Sequence, residues 1–125
     1  MTEPAIVVDV ANVMGSRPNG WWKDRAGAAK KLLAQLADLG AQQHAEVVVI
    51  LEGQAKSAGK GDESYPGVRV VLAKGEGDDT IVDVTAELKG RPTTVVTADR
   101  GLRERVEKLG AKTVGPGWLF ERIDK

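Results

Sequence analysis

Runs rich in β-branched residues recur along the chain at Ala5–Val10, Glu46–Leu51, Val68–Leu72 and Thr93–Thr97, with a shorter one near Lys112–Val114. The first, Ala5-Ile6-Val7-Val8, is apolar at consecutive positions, which predicts a strand covered on both faces, as in the middle of a parallel sheet. Helical periods fill the gaps. Trp22, Ala26, Ala29, Leu33 and Leu36 recur at steps of four and three and run to a helix stop at Gly40. Ile81, Thr85 and Leu88 repeat those steps before Gly90 and Pro92, and Leu102, Val106 and Leu109 do so before Gly110. Pro116–Ile123 opens on a breaker and reads as a short helix that packs its aromatics. Strand–helix alternation of this kind predicts an α/β fold: a mainly parallel sheet of about five strands with helices on both faces. Between Gly53 and Gly67 the chain is polar and glycine-rich without a helical period, a loop length that is uncommon unless functional or mobile.

Residues 1–125 suffice for one domain with a sizeable core. Lys+Arg 18 balance Asp+Glu 18, so any nucleic-acid contact must use a local basic patch rather than an overall basic field. Cysteine is absent, which excludes disulfides, thiolate metal sites and cysteine nucleophiles and fits a reducing cytosol. The apolar stretch near the N-terminus is too short for a signal peptide or a membrane span. A cytoplasmic protein with no membrane partner is the expectation.

Asp9 breaks the apolar pattern where burial should be deepest. A carboxylate left unpaired there costs several kcal/mol, so it needs a cation, a hydrogen-bond network or a helix N-terminus. Ligands of open α/β sheets sit outside the carboxyl ends of the strands. There the first strand delivers Asp9 and then Asn12, and the second delivers Glu52. The third leads through Lys74-Gly75-Glu76-Gly77 to Asp78 and Asp79, and the fourth delivers Asp99 and Arg100. Two carboxylates about 5 Å apart repel by roughly 3 kcal/mol at an effective dielectric near 20. A group of them persists if some are protonated, if Arg or Lys reaches in, or if a divalent cation binds. Oxygen ligands without His or Cys favour Mg²⁺ or Mn²⁺, which engage phosphate oxygens and activate water. Each acid also has a plainer use. Asp9 could bond loop amides, Glu52 could begin a solvated loop, and Asp78, Asp79 or Asp99 could cap helices.

Val7-Val8-Asp9-Val10-Ala11-Asn12-Val13-Met14-Gly15, Gly77-Asp78-Asp79-Thr80-Ile81 and Val96-Thr97-Ala98-Asp99-Arg100, in that order, resemble the PIN-like nuclease superfamily, especially its NYN branch and the bacterial YacP-type endoribonucleases. The resemblance spans nearly the whole chain and rests on the order and spacing of motifs that are individually weak. It implies a three-layer Rossmann-like sandwich with strand order 3-2-1-4-5 and Mg²⁺- or Mn²⁺-dependent hydrolysis of RNA. Carried over, Asp9, Asp78 or Asp79, and Asp99 would be catalytic metal ligands, and Asn12 would orient the first acid or a bound phosphate. Thr97 matches the Thr/Ser before the last acid, and Glu52 an acidic strand end. Where the family has Tyr before Asn, this chain has Ala11.

The loop Gly15–Trp22 follows the first strand and so belongs to the same edge. Ser16, Arg17 and Arg25 are candidate phosphate contacts, Trp21 a candidate stacking surface for a base, and Arg100 a partner for carboxylate or phosphate. Lys56, Lys60 and Lys74 could form a basic rim. His44 lies far from every motif and is expected on the surface without a catalytic part. RNA is the expected partner, and a homodimer stays open. Two other readings of the same residues are a nucleotide pyrophosphohydrolase, for which an EExxE pattern is lacking, and a non-catalytic RNA-binding module. Ala11 stands where a haloacid-dehalogenase-like phosphatase needs a second Asp, and no Gly-x-Gly-x-x-Gly follows the first strand.

Overall fold

The computed structural model of the chain describes residues 3–16, 23–52, 67–75 and 77–123. Ten elements follow one another: β1 (Ala5–Asp9), α1 (Val10–Gly15), α2 (Arg25–Gln43), β2 (Glu46–Leu51), β3 (Val68–Leu72), α3 (Gly77–Glu87), β4 (Thr93–Val96), α4 (Arg100–Glu107), β5 (Lys112–Val114) and α5 (Pro116–Ile123). The strands form one sheet in the order β3-β2-β1-β4-β5, and every neighbouring pair is parallel. This is the expected Rossmann-like order, with β1 in the centre.

Alternate residues of the central strands enter two separate cores. Ile6 and Val8 of β1 join Val47, Val49 and Leu51 of β2 on the face covered by α1, α2 and α5. Ala5 and Val7 join Val48 and Ile50 on the face covered by α3 and α4. The helical periods explain the cover. Leu33, Leu36 and Leu39 of α2, Ile81 of α3 and Leu102 and Val106 of α4 are all essentially inaccessible to solvent, each contributing about 1.5–3 kcal/mol of apolar burial. Asp9 has the parity of Ala5 and Val7, so it belongs to the α3–α4 side. It pairs in register with Ile50, one step beyond the pairing of Val8 with Val96, which puts it at the carboxyl edge of the sheet.

The structure departs from the sequence expectations at three boundaries. β1 ends at Asp9 rather than Val10, because Asp9 caps a short helix, α1, that the apolar run concealed. β4 likewise ends at Val96, so Thr97 belongs to the turn that follows. Gly40 does not stop α2. The helix continues to Gln43 and is ended by His44, which is exposed and adopts the left-handed conformation, φ 51°. Gly40 is instead where the helix packs on the sheet. A β-carbon there would lie 3.0 Å from the Ala45 carbonyl oxygen and 3.1 Å from Val47 Cγ2. The peptide that carries that carbonyl is held in place, since the Glu46 N–H donates to the Pro4 carbonyl at 3.0 Å. Ala would improve helix propensity by about 1 kcal/mol, but overpacking of this kind costs about 1–3 kcal/mol. Gly40→Ala is therefore expected to lower stability, and an unchanged or higher urea midpoint would contradict the close approach.

Candidate active site

Asp9 is 8 % exposed. Its Oδ1 accepts from the Asn12 N–H at 3.3 Å and its Oδ2 from the Thr97 hydroxyl at 3.1 Å. These bonds favour the carboxylate, but burial outweighs them. The charges of Asp78 and Glu52 act in the same direction, and the Asp9 pKa is pushed up from 3.8 to about 6. A strand with apolar neighbours on both sides thus ends in a carboxyl group whose charge the surrounding protein balances only in part.

Thr97, fully buried, joins the first acid to the last. Its hydroxyl donates to Asp9 and accepts from the Asp99 N–H at 3.2 Å. Asp99 is the N-cap of α4, its Oδ1 accepting from the Leu102 N–H at 3.1 Å. Asn12 closes the same junction from the β1 side, its Oδ1 accepting from the Ala98 N–H at 2.9 Å. Asp9, Asn12, Thr97 and Asp99 therefore meet at one edge, tied together across the β1–β4 boundary.

From the other side, Glu52 Oε2 accepts from the Gly77 N–H at 2.5 Å and so seats the start of α3 beyond the end of β2. A side chain at Gly77 would put its β-carbon 2.6 Å from that oxygen. Asp78, half-buried, follows in the first turn, and its charge reaches Asp9. Asp79 points elsewhere. Its carboxylate is 80 % exposed and pairs with Arg105 of α4 at 3.0 Å.

The profile of the YacP-like NYN domain family matches residues 6–125 of this sequence. The chain belongs to the YacP-like NYN family. The crystal structure of Rae1 (YacP) from Bacillus subtilis has the same fold, with a TM-score of 0.82 at 18% identity over 96% of this chain and 73% of that one. A tryptophan-to-leucine mutant of that protein gives 0.73 at 17% identity over 96% and 74%. None of the curated proteins compared matches the sequence significantly.

Ser16 and Arg100, which the loop reading and the NYN resemblance single out, do not join this constellation. Ser16 donates its hydroxyl to the Val13 carbonyl at 2.8 Å and caps α1. Arg100 is exposed at the start of α4. Arg17, Trp21, Trp22, Lys56 and Lys60, and the side chain of Arg25, lie outside the described residues. Sequence reasoning missed one participant, Arg103, whose Nε donates to the Thr97 carbonyl at 2.8 Å. An Arg on an amphipathic helix looks like any solvated cation, so no local signal marks it. No described helix is long and apolar enough to cross a membrane.

The donor set of this NYN site consists of carboxylate, amide and hydroxyl oxygens, the chemistry that suits Mg²⁺ or Mn²⁺. Among the described residues, no three of Asp, Glu, His and Cys stand close enough to enclose a metal unaided. The hydrogen bonds explain why, since Glu52 and Asp99 each accept from a helix N-terminus and Asp79 is drawn to Arg105. Mg²⁺ usually takes only one or two protein carboxylates, completing its shell with water and phosphate. Asp9 with Asp78 nearby fits that pattern.

Proposed function

We propose that this protein is a divalent-metal-dependent endoribonuclease, hydrolysing RNA phosphodiester bonds at the carboxyl edge of its sheet in the cytoplasm. The observation that carries the reading is Asp9: a buried strand-end carboxyl, under the negative field of Asp78 and Glu52, in a chain of the YacP-like NYN family. Asp9 and Asp78 would hold the cation, with Asp99 as a further ligand, direct or through water. When bound, Mg²⁺ or Mn²⁺ supplies charge neutralisation at the phosphate and a more acidic water. Thr97 and the Asn12 N–H keep both Asp9 oxygens in place. The Asn12 side-chain oxygen Oδ1 accepts from the Ala98 N–H, so the side-chain NH₂ group suits a phosphate oxygen. Arg100 supplies charge beside Asp99. Ser16, Arg17, Trp21 and Arg25 are the proposed RNA contacts.

The test incubates the purified protein with labelled RNA and with free nucleotides, in Mn²⁺ or in EDTA. RNA cleavage is expected in Mn²⁺ and none in EDTA, with Asp99→Asn slower by about 10–100-fold. Hydrolysis of free nucleotides alone would replace this reading with a pyrophosphohydrolase. RNA binding without cleavage, unaffected by Asp99→Asn, would replace it with a binding module.

A further inference from the structure

We propose that Arg103 is a positioning residue for the acidic edge, holding Thr97 so that its hydroxyl keeps Asp9 and Asp99 at a set spacing; the proposal rests on the nuclease reading. Arg103 sits one turn into α4, where its own N–H donates to the Asp99 carbonyl at 2.9 Å. Its side chain is half-buried and folds back so that Nε donates to the Thr97 carbonyl at 2.8 Å. The far edge of the guanidinium lies against Gly115, where a β-carbon would come within 3.2 Å of Nη2. Thr97 is held from the opposite side as well, its N–H donating to the Val114 carbonyl at 2.9 Å.

Both peptide groups of Thr97 are therefore engaged just as the chain leaves β4, and this sets where its side chain emerges. That side chain bonds Asp9 Oδ2 at 3.1 Å and the Asp99 N–H at 3.2 Å. Without Arg103, the carbonyl of a fully buried residue loses its partner, and recovering one requires the peptide to turn. A turned peptide carries the hydroxyl away from both acids. Sub-ångström placement of reacting groups is worth large factors in rate, so the effect belongs in kcat.

The alternative role for an arginine near a nuclease site is a charge for phosphate, and the two roles reside on different atoms. Gln places its amide nitrogen the same number of bonds from Cα as Arg Nε, so it keeps the donor and drops the charge. Lys has a methylene there, so it keeps the charge and drops the donor. The experiment compares Arg103→Gln and Arg103→Lys with the unaltered protein, by RNA cleavage in Mn²⁺ and by amide hydrogen exchange. Positioning predicts that Arg103→Lys loses about 10–100-fold in kcat at unchanged KM, with faster exchange at Ala98 and Asp99, while Arg103→Gln recovers most of both. The reverse order, with KM rising and steeply salt-dependent, would overturn the proposal in favour of a phosphate contact. Should the unaltered protein fail to cleave RNA, the nuclease reading falls, and the exchange data alone still decide whether Arg103 holds the turn. If Arg103→Lys does not fold, Gly115→Ala gives a milder displacement of the guanidinium. Faster exchange at Ala98 and Asp99 in that folded variant supports the clamp, and unchanged exchange refutes it.

Discussion

Replacing Asp9 with Asn is expected to abolish RNA cleavage while making the protein harder to unfold at pH 7. The two effects have one origin. A carboxyl group whose pKa lies at about 6 in the folded protein and 3.8 in the unfolded chain binds its proton more tightly when folded. Between those values unfolding releases a proton, so stability falls as pH rises through that interval and stays low above it. At 1.36 kcal/mol per unit, the charged Asp9 costs about 3 kcal/mol at pH 7. Asn has the same shape and still accepts from the Asn12 N–H. The Thr97 hydroxyl can rotate to suit it, so much of that cost is removed. Cleavage should fall by roughly 10³-fold or more, the several kcal/mol that a held cation supplies to phosphoryl chemistry. Urea unfolding at pH 7 and at pH 3.5 checks the first half: the variant's advantage should be present at the higher pH and vanish at the lower. Mn²⁺ should raise the melting temperature of the unaltered protein and not of the variant. A variant that still cleaves RNA would remove Asp9 from the mechanism.

The second large effect separates adjacent residues. Successive positions on a helix point about 100° apart, so Asp78 and Asp79 do not serve the same space. Asp78→Asn is expected to reduce cleavage by about 10²–10³-fold, since its carboxylate shares the field around Asp9 and would share the cation. Asp79→Asn gives up an exposed pair with Arg105, worth about 0–1 kcal/mol in stability, and leaves the chemistry in place. Single-turnover rates at saturating Mn²⁺ make the comparison. The opposite ranking would shift the ligand set by one residue and require α3 to start differently from the arrangement that Glu52 and Gly77 now hold.

Much of the architecture could be read before any coordinates were known, because it depends on local pattern. Consecutive β-branched residues in Ala5–Val8 and Val47–Leu51 require cover on both faces. The three- and four-residue steps of Leu33, Leu36, Ile81, Leu102 and Val106 supply the helices that give it. A parallel sheet then sends every strand's carboxyl end to one edge, so Asp9, Asn12, Glu52 and Asp99 could be assigned there from order alone. The helix boundaries were less legible. Gly40 carries the usual mark of a helix end, and its smallness instead serves contact with the Ala45 carbonyl and Val47. Nothing nearby in the chain announces that.

What composition and periodicity determined here was a mainly parallel sheet with acids along one rim, since burial on two faces and the direction of parallel strands leave little choice. The strand order was implied only by the family resemblance. Only the folded chain decided which groups bind one another. Thr97 and Asp9 are 88 positions apart, and Glu52 and Gly77 are 25 apart. A hydrogen bond across such a separation depends on angles and distances set by the whole packed core. That is why the reach of the Asp78 charge to Asp9, the outward turn of Asp79 and the hold of Arg103 on Thr97 emerge from tertiary structure and from nowhere else.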